Sequence, residues 1–152
     1  MPSYSRRSVL TFGLSLPLVT LFQPAKAGEP KVSTDKGGIA IRGYDTQAYW
    51  TIDAPRPGIA GHVVQWNGAI WRFASAEDAA KFAASPADFA PQFGGFCTRT
   101  MSLKKVVHGD PEVWRIFEDR LYLFAKPVGG KVFDKDEAAM IAAAQAHWDN
   151  LH

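Results

Sequence analysis

The sequence predicts an α+β domain, two antiparallel β-hairpins with helices packed on them, from three observations. Asn67-Gly68 separates two short apolar segments, a second pair of such segments meets across Glu118-Asp119, and the chain closes on apolar residues at helical spacing. The 152 residues are 47% apolar and 21% charged, with 13 Gly and 10 Pro, which supplies one packed core and leaves little room for a second domain. So many turn-forming residues argue against a coiled coil, and the apolar content argues against a disordered chain.

Each element has a local reason. Ile39 and Ile41 alternate with small or polar neighbours as a short strand would, and Gly43-Tyr44-Asp45 ends it. Asp45 is placed to cap a helical turn through Ala48, Tyr49 and Trp50. The loop from Asp53 to Gly58 is stiffened by Pro55 and Pro57. The first hairpin runs over 62–66 and 69–73, because Asn-Gly suits the positive φ angles of a two-residue turn. Ser75 and Asp78 read as a variant capping box that starts a helix over 76–84, and a second cap, Ser85-Pro86, starts a short turn carrying Phe89. Two glycines between aromatics break regular structure over 91–97, and the second hairpin follows over 113–117 and 120–124. The last helix runs over about 135–150 as an amphipathic element, with Asp134 and Glu137 capping reciprocally and Ile141, Ala144 and Trp148 facing inward. No internal repeat is visible beyond two hairpins of different sequence.

The leading segment reads as an address. Arg6-Arg7 precedes an apolar run from Val9 to Phe22, and Ala25-Lys26-Ala27 offers the small residues that a signal peptidase reads. Residues 1–27 are therefore expected to be a cleaved signal peptide of the twin-arginine kind, which sends a mature domain of residues 28–152 to the periplasm. As a helix the apolar run would span roughly 21 Å, short of the roughly 30 Å hydrocarbon core, so no permanent membrane anchor is expected. The formal charge of +2 comes from 17 Lys and Arg against 15 Asp and Glu; without Arg6, Arg7 and Lys26, 14 bases face 15 acids. A nearly neutral mature domain gives no electrostatic reason to bind nucleic acid.

The residues around the first hairpin carry a family resemblance. Asn67-Gly68, then Trp71-Arg72-Phe73-Ala74-Ser75, Phe82 and Ser85-Pro86-Ala87-Asp88-Phe89 resemble a YHS domain. A longer match, from Gly43-Tyr44-Asp45 through Phe93-Gly94-Gly95-Phe96-Cys97 and Asp110-Pro111-Glu112-Val113-Trp114 to Leu121-Tyr122-Leu123, is similar to the exported single-domain branch of that family. The resemblance implies a small α+β module associated with heavy metals, often in copper-handling proteins. It also implies metal-linked cysteines at positions held here by Ala74 and Asp78, so the soft thiolate pair is missing.

Chemistry then centres on Cys97, the one cysteine of the chain, in a compartment where structural cysteines come in pairs. Gly94 and Gly95 could bring backbone close to a ligand beside it, and Tyr44 with Asp45 could join a binding pocket. Met101, four residues on, and His108 complete a possible soft-metal set with Cys97, copper being the metal that suits it. Each has a plainer reading: a buried thiol in a tight turn, Met101 as core filler, His108 as a solvated loop residue and Asp45 as a cap. Three functions are open on these residues. The first is a non-enzymatic domain that binds a metal ion, copper foremost, or a small ligand near Cys97; the second is a module that joins a protein partner; the third is a cysteine-dependent enzyme using His108 as base. The elbow, phosphate-loop and zinc-protease motifs of common enzymes are absent, and no catalytic residue is assigned.

Overall fold

The structure, a computed structural model, describes residues 30–152. The residues read as a signal peptide lie outside the described residues. The elements are α1 (Ala48–Thr51), β1 (Ile59–Trp66), β2 (Ala69–Phe73), α2 (Ala76–Ala84), α3 (Pro86–Phe89), α4 (Thr98–Ser102), β3 (Asp110–Phe117), β4 (Arg120–Phe124), α5 (Pro127–Phe133) and α6 (Glu137–Leu151). Among the described residues no helix is long and apolar enough to cross a membrane.

Both hairpins form where the turn chemistry places them. β1 pairs with β2 and β3 with β4, each pair antiparallel and each forming its own two-stranded sheet. Asn67 and Gly68 take φ angles of 50° and 76°, and Glu118 and Asp119 take 47° and 54°, so both turns are left-handed at both central positions. In each hairpin the first strand runs three residues further back than its alternation suggests, because a bulge interrupts the register and pairing then resumes at Ile59↔Phe73 and Asp110↔Phe124.

The chain is built twice from one plan, contrary to the reading that no repeat extends beyond two hairpins of different sequence. Ile41, Arg42 and Gly43 form a left-handed turn, and so do Phe93, Gly94 and Gly95. Gly58 donates to the carbonyl of Gly43 at 2.8 Å, as Gly109 does to that of Gly95 at 3.0 Å. Asp45 N–H donates to the Arg56 carbonyl, and Cys97 N–H to the Val107 carbonyl, both at 2.8 Å. The aromatic packing repeats as well. Phe82 meets Trp71, Phe73 and Trp66 at 5.1, 5.0 and 5.9 Å, while Phe133 meets Tyr122, Phe124 and Phe117 at 5.3, 5.2 and 6.0 Å. The edge-on pairs are alike in angle too, 87° for Trp66–Phe82 and 88° for Phe117–Phe133.

Two apolar clusters result, and β4 joins them. Leu121 and Leu123 lie in the cluster built on Trp71, Phe73 and Phe82, whereas Tyr122 and Phe124 lie in the one built on Phe93, Phe96, Met101 and Phe133. Alternate residues of a strand point to opposite faces, so one buried strand serves both cores. Tyr49 adds a link: its hydroxyl donates to the Pro111 carbonyl at 2.8 Å, and burial pushes its phenol pKa up. α6 has no partner in the first half. It lies across α4 with Met140 and Ala144 buried and Ile141, Trp148 and Leu151 packed against the second cluster.

Three local expectations are corrected. The stretch from Ile39 to Ile41 makes isolated bridges, Ile39↔Ile70 and Thr34↔Ala40, rather than a strand, because Ile41 turns left-handed at φ 39°. Ser85 gives no side-chain cap to α3. The cap of α6 is Asp136, which accepts from Ala139 N–H at 3.0 Å; Asp134 is held instead by Arg115 at 2.7 and 2.8 Å, and that guanidinium holds its carboxyl below the usual range.

Candidate functional site

Cys97 stands just before α4, at the point where the second half leaves its left-handed turn. Its N–H is held by the Val107 carbonyl, and its own carbonyl accepts from Met101 N–H at 2.9 Å and from the Thr100 hydroxyl at 3.1 Å. The residue is 2% exposed, yet it forms part of the wall of a pocket of about 190 Å³. Thr100 and Leu103 contribute from the α4 side, and Ala125, Val128 and Gly129 from the segment after β4, with Arg99 and Lys126 completing the lining. The walls are almost wholly apolar, so that Arg99 and Lys126 contribute their aliphatic stems, and Leu103 and Val128 stand 55% and 62% exposed. A weakly polar, buried thiol in such surroundings suits a compact apolar molecule.

Neither of the other expected ligands lines this pocket. Met101 is fully buried among the second cluster, where it fills core. His108 bridges Phe96 in extended backbone, its ring 5.5 Å from the Phe96 ring, while Cys97 sits opposite Val107. Successive residues of extended chain face opposite ways, so imidazole and thiol project from different sides. His108 Nδ1 is hydrogen-bonded to Ser33 Oγ at 2.7 Å, and its ring lines a separate pocket of about 240 Å³ with Ser33, Thr34, Asp35, Arg42 and Gly109. Of the expected copper set, Cys97 and Met101 share the second cluster, whereas the His108 imidazole lies apart from them. Among the described residues no three His, Cys, Asp or Glu side chains cluster as a metal site.

Both glycines are packed against other segments of the chain. A Cβ on Gly94 would run into the Lys31 carbonyl, and one on Gly95 would come within 2.5 Å of Ile41 Cγ2. The close approach expected there is made by the segment before the first turn, since Gly94 carbonyl accepts from Ser33 N–H at 2.8 Å. Tyr44 donates to Glu112 at 2.6 Å, which pushes the phenol pKa above its ordinary value and ties the first turn to β3. Tyr44 therefore acts as a cross-brace.

Asp45 occupies in the first half the place that Cys97 occupies in the second, and the contrast defines the site. Its fully buried carboxylate accepts from Gln47 N–H at 2.8 Å and Ala74 N–H at 2.9 Å. Arg56 Nη2 bridges it to Asp78, at 3.1 and 2.8 Å. Asp78 also accepts from the Ser75 hydroxyl at 2.8 Å, and its N–H returns a bond to Ser75 Oγ at 3.1 Å. The matching positions of the second half are Cys97 for Asp45, Val107 for Arg56, Lys126 for Ser75 and Gly129 for Asp78. An ion cluster fills one half of the duplicated plan; an apolar pocket with a thiol stands in the other.

No protein-family model, curated protein or solved structure matches this chain. The reading of the site rests on its geometry. That geometry adds Arg99, Leu103, Ala125, Lys126, Val128 and Gly129 to the residues found from sequence. One signal could have pointed to them: Gly43-Tyr44-Asp45-Thr46 and Gly95-Phe96-Cys97-Thr98 are variants of one pattern, which sets Cys97 against a buried carboxylate.

Proposed function

We propose that this is an exported, non-enzymatic binding module of the YHS-like kind, and that it takes a small, largely apolar ligand in the pocket on Cys97. One observation carries the reading: at the position where the first half places a guanidinium between two carboxylates, the second half presents a pocket of about 190 Å³ with Cys97 in its wall. Cavities of roughly 150 Å³ lined by hydrocarbon bind molecules the size of benzene, so the volume is sufficient for a ligand of that class. The thiol makes the pocket chemically readable, because a bound ligand covers it. Of the two ligand classes expected from sequence, the apolar ligand is the better supported, since the His108 imidazole lies apart from Cys97 and leaves at most two buried sulfurs for copper.

Titration of the purified protein with benzene, followed by backbone NMR, tests this. Saturable shifts confined to residues 97–103 and 125–129, with slower alkylation of Cys97 by a small uncharged reagent, are expected. Shifts spread over the surface, or none, would overturn the reading.

A further inference from the structure

Apart from the pocket on Cys97, we propose that the outer edge of β1 seats a second copy of this chain, the two β1 strands pairing antiparallel about a two-fold axis. The edge is open. Ile70, opposite Gln65, turns its N–H to the Gly38 carbonyl and its carbonyl to the Ala40 N–H, both on the far side of β2. That pair therefore exchanges no hydrogen bonds, and the N–H and carbonyl of Gln65, and of Val63 two residues before it, point away from the hairpin. Among the described residues no other strand or bridge pairs with β1 there.

The equivalent edge of the second half is guarded, and this one is not. β3 carries Asp110, Pro111, Glu112 and Arg115, and Arg115 Nη1 covers the Trp114 carbonyl at 2.7 Å. β1 carries no Asp, Glu, Lys, Arg or Pro; Val63 takes the place of Trp114, Val64 that of Arg115 and Gly61 that of Glu112, and Ile59 and Val63 are both exposed. Gly61 is the sharpest difference. Each other described glycine turns left-handed or would bring a Cβ within 3.3 Å of another atom, whereas Gly61 has a negative φ and its Cβ would meet only Ile59 Cδ1, at 3.9 Å. The bulge does not require glycine either, since the second half makes its own with Glu112 at that place. A strand glycine that its own chain does not need leaves room for a close approach from outside.

Two features select a second copy as the occupant. About an axis near His62, Val63 of each copy faces Gly61 of the other, so one large residue fills one notch in both directions. Antiparallel self-pairing also sets each residue opposite one close to it in sequence, where a charge would face its own kind, and β1 has no acidic side chain, lysine or arginine to do so.

Sedimentation velocity of the purified protein over about a hundredfold range of concentration, with amide hydrogen exchange at both ends of the range, tests this. A monomer–dimer equilibrium is expected, with the Val63 and Gln65 amides exchanging more slowly as the dimer forms. Gly61→Val and Val63→Lys should each raise the dissociation constant at least about tenfold, by filling the notch and by setting like charges together. The Tm of the dilute monomer should stay within about 3 °C in both, because neither side chain meets a packed neighbour of its own chain. Leu103→Lys and Val128→Lys, at the exposed apolar residues of the Cys97 pocket, should leave the dimer unchanged. A monomer at every concentration, assemblies that grow past two copies, a dimer that persists in Val63→Lys, or one that forms without slowing the Val63 and Gln65 amides would each overturn the proposal.

Discussion

Arg56 is the side chain whose removal reveals most about the first half. One of its nitrogens touches Asp45 and Asp78 together, and Asp45 is fully buried. Arg56→Met keeps the aliphatic stem and leaves two carboxylates facing each other with no cation between them. A fully buried pair broken in this way loses about 3–5 kcal/mol; Arg56 is 35% exposed, so we expect roughly 2–4 kcal/mol, read as a lower urea midpoint at constant m. Adding Asp78→Asn should recover part of the loss, because it removes one of the opposed charges. A loss below about 1 kcal/mol, or no coupling between the two substitutions, would show that the cluster is not held as a unit.

The turns of the two hairpins are the elements where sequence and structure can be exchanged. Asp119 sits at φ 54° where Gly68 sits at φ 76° in the other hairpin, and a Cβ on Gly68 would meet no atom within 4 Å. The difference between them is then conformational rather than steric. Asp119→Gly should raise stability by about 0.5 kcal/mol and Tm by a few degrees, and Gly68→Asp should do the reverse, both read by thermal unfolding. A shift of the same sign in both would refute the equivalence of the turns. These hairpins, α2 and α6 were legible because their signals are local: turn residues, the Ser75 cap, apolar spacing. Strand beginnings were not, since a bulge breaks the alternation that marks them. The site was half legible. Cys97 stood out as a lone thiol, but the pocket beside it is closed by residues of α4 and of the segment after β4, a juxtaposition with no trace in sequence spacing. Met101 and His108 were grouped with Cys97 by nearness in sequence; Met101 does share its cluster, whereas extended backbone turns His108 away.

Duplication raises the question of whether the halves are independent folding units, and β4 answers it. Leu121 and Leu123 are fully buried, yet they belong to the first cluster while their strand belongs to the second half. Tyr44 and Tyr49 from the first half reach Glu112 and Pro111 in or beside β3. A first half cut off before β3 would expose the apolar face that those leucines cover, and would lack the partners of both tyrosines. We therefore expect one cooperative transition for the whole chain, with the van't Hoff enthalpy equal to the calorimetric one. Leu123→Ala should lower stability by about 2–5 kcal/mol without splitting that transition, because the cavity it opens faces the first core while the backbone it perturbs carries Tyr122 and Phe124 of the second. Urea unfolding followed by tryptophan fluorescence and by far-ultraviolet circular dichroism should give coincident curves in both proteins. Two separated transitions in either one would mean that the halves are tandem domains in contact, and the shared strand would then be a packing contact only.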